Sequence, residues 1–187
     1  MSLPCTFSVL LAENILLCTI MNEKTTHEYK EVIATCKELF ARKTQDYGTA
    51  WRVLRLPSIT DQILIKAQRI RSIQEKGVQK VDDPIKDEFI GIINYCVIAM
   101  IQLRLKDSDT LEMNFKELEP LYDQAVTETF ELLQNKNHDY DEAWREMRVS
   151  SMTDIILMKL LRVKQIENND GKLLASEGIK ANYQDMI

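Results

Sequence analysis

The residues in this chain best suited to chemistry are cations set beside aromatics. Lys43, Arg52, Arg55, Lys66 and Arg69 accompany Asp46, Tyr47 and Trp51 within one stretch. Arg52 and Arg55 are three apart, as are Lys66 and Arg69, so each pair shares a helix face. Arginine offers a planar fork of donors and lysine a compact point charge, and together they suit a phosphate group. Tyr47 and Trp51 could stack on a base or a sugar. The competing reading is structural: the cations pair with Asp46 or Glu88, and the tryptophan anchors a core. Exposed ion pairs add little stability, which gives weak structural reason to keep such a set.

The set occurs twice. Lys136, Asp139, Tyr140, Trp144, Arg145, Arg148, Lys159 and Arg162 follow at a constant offset of 93, and from Lys43 to Ile73 the copies agree at 15 of 31 positions without a gap. Agreement of that kind marks an internal duplication. Both tryptophans of the chain fall at the equivalent place.

The carboxylates are not duplicated. Asp87 and Glu88 are candidate bases or magnesium ligands, the expected catalytic pair, but Ala181 and Asn182 take their places in the second copy. Conversely, Gly91 is matched by Asp185. If the site uses magnesium, the first copy carries the chemistry. A cysteine–histidine nucleophile is not supported, because Cys36 aligns with Thr129 and neither His27 nor His138 recurs. Two histidines and four cysteines without CxxC spacing argue against structural zinc. Reduced, buried cysteines fit a cytoplasmic protein.

Helices must position these groups. Amphipathic runs dominate, glycine and proline are sparse, and the class is all-α. A net charge of −5 removes any global electrostatic case for nucleic acid. Thr26 is the expected cap of a helix reaching Lys43. Asp46-Tyr47-Gly48 reads as a turn, and residues 49–56 as a short helical segment. Ser58 and Asp61 read as a capping box opening a helix that Gly77 closes, and Ser151 and Asp154 repeat that box. Pro84 opens a strongly apolar helix toward Lys106, and Pro120 opens the first helix of the second copy. Residues 1–21 read as an N-terminal extension, too polar at Glu13 and Asn14 to span a membrane comfortably. Repeat one then spans 22–106, a linker 107–113, and repeat two 114–187. The counterpart of residues 94–105 is missing after Ile187, so either the chain is cut short there or another chain supplies that surface.

The series Lys43, Asp46-Tyr47-Gly48, Arg52, Arg55, Ser58, Thr60-Asp61, Lys66, Arg69 and Asn94-Tyr95 resembles a bacterial and phage family, the nucleotide modification associated domain. The resemblance covers 25–187 as two copies and implies a place in nucleotide or modified-base metabolism. A more distant likeness is to all-α nucleoside triphosphate pyrophosphohydrolases of the MazG type. Their middle helix holds magnesium with Glu-Glu-x-x-Glu, where this chain has Lys66 and Arg69.

The expectation is therefore an all-α protein of two tandem repeats of about three helices, packed as a pseudo-dimer and forming a homodimer. It binds nucleotide phosphates through its duplicated cations, with Mg²⁺-dependent pyrophosphohydrolysis as a further step. The alternative is a non-catalytic module docking a protein or nucleic acid partner.

Overall fold

A computed structural model describes residues 5–106, 108–169, 171–173 and 177–187, with the backbone alone for 5–22. Among them there are helices and no strand. Helix α1 (Cys5–Tyr47), a 3-10 turn (Ala50–Val53), α2 (Leu56–Lys76) and α3 (Ile85–Arg104) form repeat one. Helix α4 (Phe115–Tyr140), a 3-10 turn (Ala143–Glu146), α5 (Val149–Asn168) and α6 (Ile179–Gln184) repeat that order. No helix among the described residues is long and apolar enough to cross a membrane.

Several helix starts differ from expectation. The helix assigned to Thr26 continues N-terminally to Cys5, and residues 1–4 of the expected extension lie outside the described ones. Neither Ser58 nor Ser151 caps. Helix α2 begins at Leu56 with Arg55 as its N-cap, because Pro57 is preorganised for a first turn. Helix α5 begins at Val149, with Arg148 as N-cap. Helix α4 begins at Phe115, where Asn114 and Glu117 form a reciprocal capping box. Pro120 therefore lies inside α4 rather than at its start.

The two repeats join through α2 and α5. Ile59, Ile63, Ala67 and Ile70 follow one face of α2, and Leu160 and Val163 lie on α5, all fully buried in one common core. Polar pairs flank it in matched fashion. Asp61 accepts from Lys164 at 2.7 Å, while Asp154 lies 3.7 Å from Arg71. Thr60 donates to Glu167 at 2.8 Å, while Gln74 donates to Thr153 at 3.1 Å. Arg71 and Lys164 are equivalent by the offset of 93, as are Gln74 and Glu167. Each contact thus recurs with its partners exchanged, the signature of an isologous interface. The pseudo-dimer is built within one chain, and Asp61 and Asp154 serve it rather than helix caps.

Helix α3 runs through the centre, touching α1, α2, α4 and α6. Its sequence is apolar around most of its circumference, and residues 96–101 are buried throughout. The polar exception is Asn94. Its amide donates to the Cys36 carbonyl at 3.0 Å, and its oxygen accepts from the Tyr122 hydroxyl at 2.9 Å. A buried polar group needs such partners, so Asn94 has a structural task. Cys36 and Cys96 are buried free thiols, and burial pushes the Cys36 thiol up to about 11. The side chains of Cys5 and Cys18 lie outside the described ones.

Candidate functional site: a cleft in repeat one

A cleft of about 820 Å³ opens between the end of α1, the first 3-10 turn, α2 and the start of α3. Gly48 makes the corner: it ends α1 in the left-handed region at φ +63°, where glycine carries no penalty. The chain then folds back and lays Trp51 against the core and along the cleft. Helix α1 contributes Lys43 and Tyr47, α2 contributes Lys66, and α3 contributes Lys86, Asp87, Glu88 and Tyr95. Tyr47 is more than half exposed, yet partial burial, together with Tyr95 and Asp46 nearby, raises its pKa.

The lysines differ in their engagement. Lys66 donates to Glu88 at 3.2 Å, and Arg69 reaches the other Glu88 oxygen at 2.6 Å. Neither Lys43 nor Lys86 has an ion-pair partner among the described residues. Lys66 lies flat over α3: a Cβ at Gly91 would stand 2.7 Å from its Cε. The glycine lets the Lys66 chain lie close against α3 and serves no turn. The Trp51 ring nitrogen is buried without a hydrogen-bond partner among the described residues, whereas Trp144 donates to Asn137 at 3.1 Å.

The expected cation cluster divides. Lys43 and Lys66 reach the cleft together with Tyr47. Arg52 does not: it is buried and donates to the carbonyls of Thr110 at 3.0 Å and Ser108 at 2.8 Å and to Gln102. It pins the connection between the repeats to the 3-10 turn. Arg55 and Asp46 are exposed outside the cleft. Arg69 braces the loop before α3 through the Asp83 carbonyl at 3.1 Å.

In repeat two, Lys136 and Lys159 both close on Asp185. Burial alone would raise the pKa of this carboxyl, but the two ammonium groups hold it below its ordinary value. Arg145 bridges Glu28 at 2.7 Å and Glu142 at 2.6 Å, and it lies over the Trp144 ring. Arg145 is thus engaged by two acids that the competing reading, with its pairs to Asp46, Glu88 and their equivalents, did not name. Asp139 sits against His138 at 3.1 Å. Tyr140 is 71% exposed, and Arg148 and Arg162 also face solvent.

Magnesium does not fit as expected. Both Glu88 oxygens are taken by cations, so Glu88 is neither a free ligand nor a free base. Asp87 is exposed and lines the cleft. Among the described residues no three metal-ligating side chains converge.

The pattern behind the cleft can be placed against known sequences. The family model of Nucleotide modification associated domain 1 matches residues 43–103 and 136–187. The chain belongs to this family. The two matched segments open on Lys43, a lysine of the cleft, and on its counterpart Lys136. No curated protein and no solved structure matches the chain, and the MazG-type likeness finds no support. Sequence reasoning missed Lys86 as a cleft residue, although the repeat of Ile-Lys at 85–86 and 179–180 marked it. It also saw Gly91 and Asp185 as counterparts without joining Asp185 to the two lysines.

Proposed function

We propose that the repeat-one cleft binds a nucleotide, with its phosphate on Lys43, Lys66 and Lys86 and its base beside Tyr47, Trp51 and Tyr95. The observation that carries this is a roomy cleft in which two lysines, without ion partners among the described residues, stand beside three aromatics. Pockets for small ligands combine such apolar walls with a few placed polar groups. The lining is mixed rather than basic, since Asp83 and Asp87 also face it. Carboxylates of that kind accept from a sugar hydroxyl or a base N–H, which a bare phosphate ion lacks. The family's name, with its reference to nucleotides, agrees with this reading.

Binding is the function proposed, without turnover through Glu88, because that carboxylate is neutralised where it stands. The test is thermal unfolding against a panel of nucleoside mono-, di- and triphosphates, with and without magnesium. A ligand at 100 times its Kd stabilises by about 2.7 kcal/mol. One nucleotide class is expected to raise the midpoint, and the Lys43→Ala, Lys66→Ala double variant is expected to lose that rise. A double variant with an unchanged rise contradicts the site. If no nucleotide raises the midpoint, the alternative gains: Arg55, Arg148 and Arg162 stand exposed outside the cleft and suit a macromolecular partner.

A further inference from the structure

Repeat two holds its own anion. Asp185, the residue that caps the end of α6, takes the place of Gly91, and its carboxylate receives Lys136 and Lys159, the counterparts of Lys43 and Lys66. Its side chain is nearly buried. The third cleft lysine is also diverted in this copy. Lys180, the counterpart of Lys86, pairs with Glu128 at 2.7 Å instead. Glu128 in turn replaces Thr35, a lining residue of the cleft in repeat one. Two acidic residues that repeat one lacks thus take up Lys136, Lys159 and Lys180, the counterparts of three lysines that line the repeat-one cleft.

We infer that Asp185 is an internal plug standing where a ligand's anionic group sits in repeat one, so that the chain has one open site and one self-occupied copy of it. This rests on the reading of the repeat-one cleft as a nucleotide site, and it adds the place of the charge: over Gly91, bridging Lys43 and Lys66. Three features support it. The position over Gly91 has no side chain of its own; only the flexible end of Lys66 fills it, and that end can swing aside for an oxyanion. The Lys66 chain already lies across that glycine. The same two lysines, in the copy, do converge on one carboxylate. A carboxylate and a phosphoryl group share the geometry of clustered oxygens that ammonium groups recognise.

The plug can be moved. Gly91→Asp should close the open site, because only the flexible end of Lys66 must shift to admit the new side chain. Asp185→Asn and Asp185→Gly should open the closed one. Inorganic pyrophosphate is the probe, with affinity and stoichiometry read by titration calorimetry and the fold checked by circular dichroism. The expected results are one site in the wild type, at least tenfold weaker binding in Gly91→Asp, and a second site in the Asp185 variants. Should Asp185→Gly fail to fold, Asp185→Asn keeps the shape and carries the test alone. Wild-type stoichiometry in folded Asp185→Asn, or wild-type affinity in Gly91→Asp, overturns the plug. If the wild type binds no pyrophosphate while Asp185→Asn binds one, the plug of repeat two stands and the placement of the charge over Gly91 fails, while the nucleotide panel alone decides the repeat-one reading. If neither binds, the plug fails.

Discussion

Repeat one and repeat two place the same lysines on the same helices and use them differently. In repeat one, Glu88 engages Lys66 and Arg69 and leaves Lys43 beside a cleft. In repeat two, Asn182 stands where Glu88 would be, and Asp185 gathers Lys136 and Lys159. The turns differ too. Gly48 bends freely at φ +63°, whereas Asp141 and Glu142 hold φ of +51° and +54° in the second copy. Residues with a Cβ resist that region by about 1–2 kcal/mol. Glu142 is buried and held there by Thr25, Asn137 and Arg145. The difference teaches that an identical cation pattern does not define an identical site. What decides is where the acids fall, and in this chain they shifted between copies while the lysines stayed.

The comparison presumes one folding unit, and the strongest way to break it is at the shared core. Ile63→Ala removes a fully buried side chain between α2 and α5 and should lower stability by about 2–5 kcal/mol. Urea denaturation should remain a single transition, since both repeats rest on that surface. Two separated transitions would mean that the halves stand alone.

Arg52 comes next. Arg52→Ala leaves two carbonyls and Gln102 without their charged donor and should lower stability by about 2–3 kcal/mol. Its nucleotide affinity, once folded, should equal that of the wild type. A loss of affinity with no loss of stability would return Arg52 to the site.

The strained turn of repeat two should respond in the opposite direction. Asp141→Gly relieves a left-handed aspartate and should raise stability by up to about 1 kcal/mol, a gain reduced by the added freedom of the unfolded chain. Chemical denaturation reads it directly, and a fall in stability would show that the Asp141 side chain does more than endure the turn.

Asp185 gives the smallest effect, and a signed one. Its folded pKa is lowered, so its contribution is present above the unfolded value near 4 and fades as pH falls through the folded value. The stability gap between wild type and Asp185→Asn should be full at neutral pH and narrow below about pH 4. A gap that widens on acidification would contradict the ion pairs.

Much of this architecture was legible in the sequence. The duplication, the helical class and the closing role of Gly77 follow from identity at a fixed offset, periodicity and backbone chemistry. Helix starts were less legible because competing caps lie close together: Ser58 looks like a cap until Pro57 claims the first turn, and Pro120 looks like an opening until Asn114 and Glu117 close their box. Of the residues that line the cleft, Lys43, Lys66 and Tyr47 stood out in the sequence because they recur. Arg52 and Arg145 recur as well, yet both are structural, and repetition alone cannot separate a ligand contact from a brace. The distinction depends on residues distant in sequence, Thr110 and Ser108 for one and Glu28 for the other, which meet these arginines only through tertiary packing. Asp185 was visible as a departure from Gly91, but its meaning required α6 to bring it to both lysines.

The most direct test of the open and closed copies is a paired nucleotide titration of Lys43→Ala and Lys136→Ala, following binding by the change in thermal midpoint. The account predicts that Lys43→Ala loses the ligand-induced rise while Lys136→Ala keeps it at wild-type size. Loss of the rise in Lys136→Ala with its retention in Lys43→Ala would place the working site in repeat two and contradict the account.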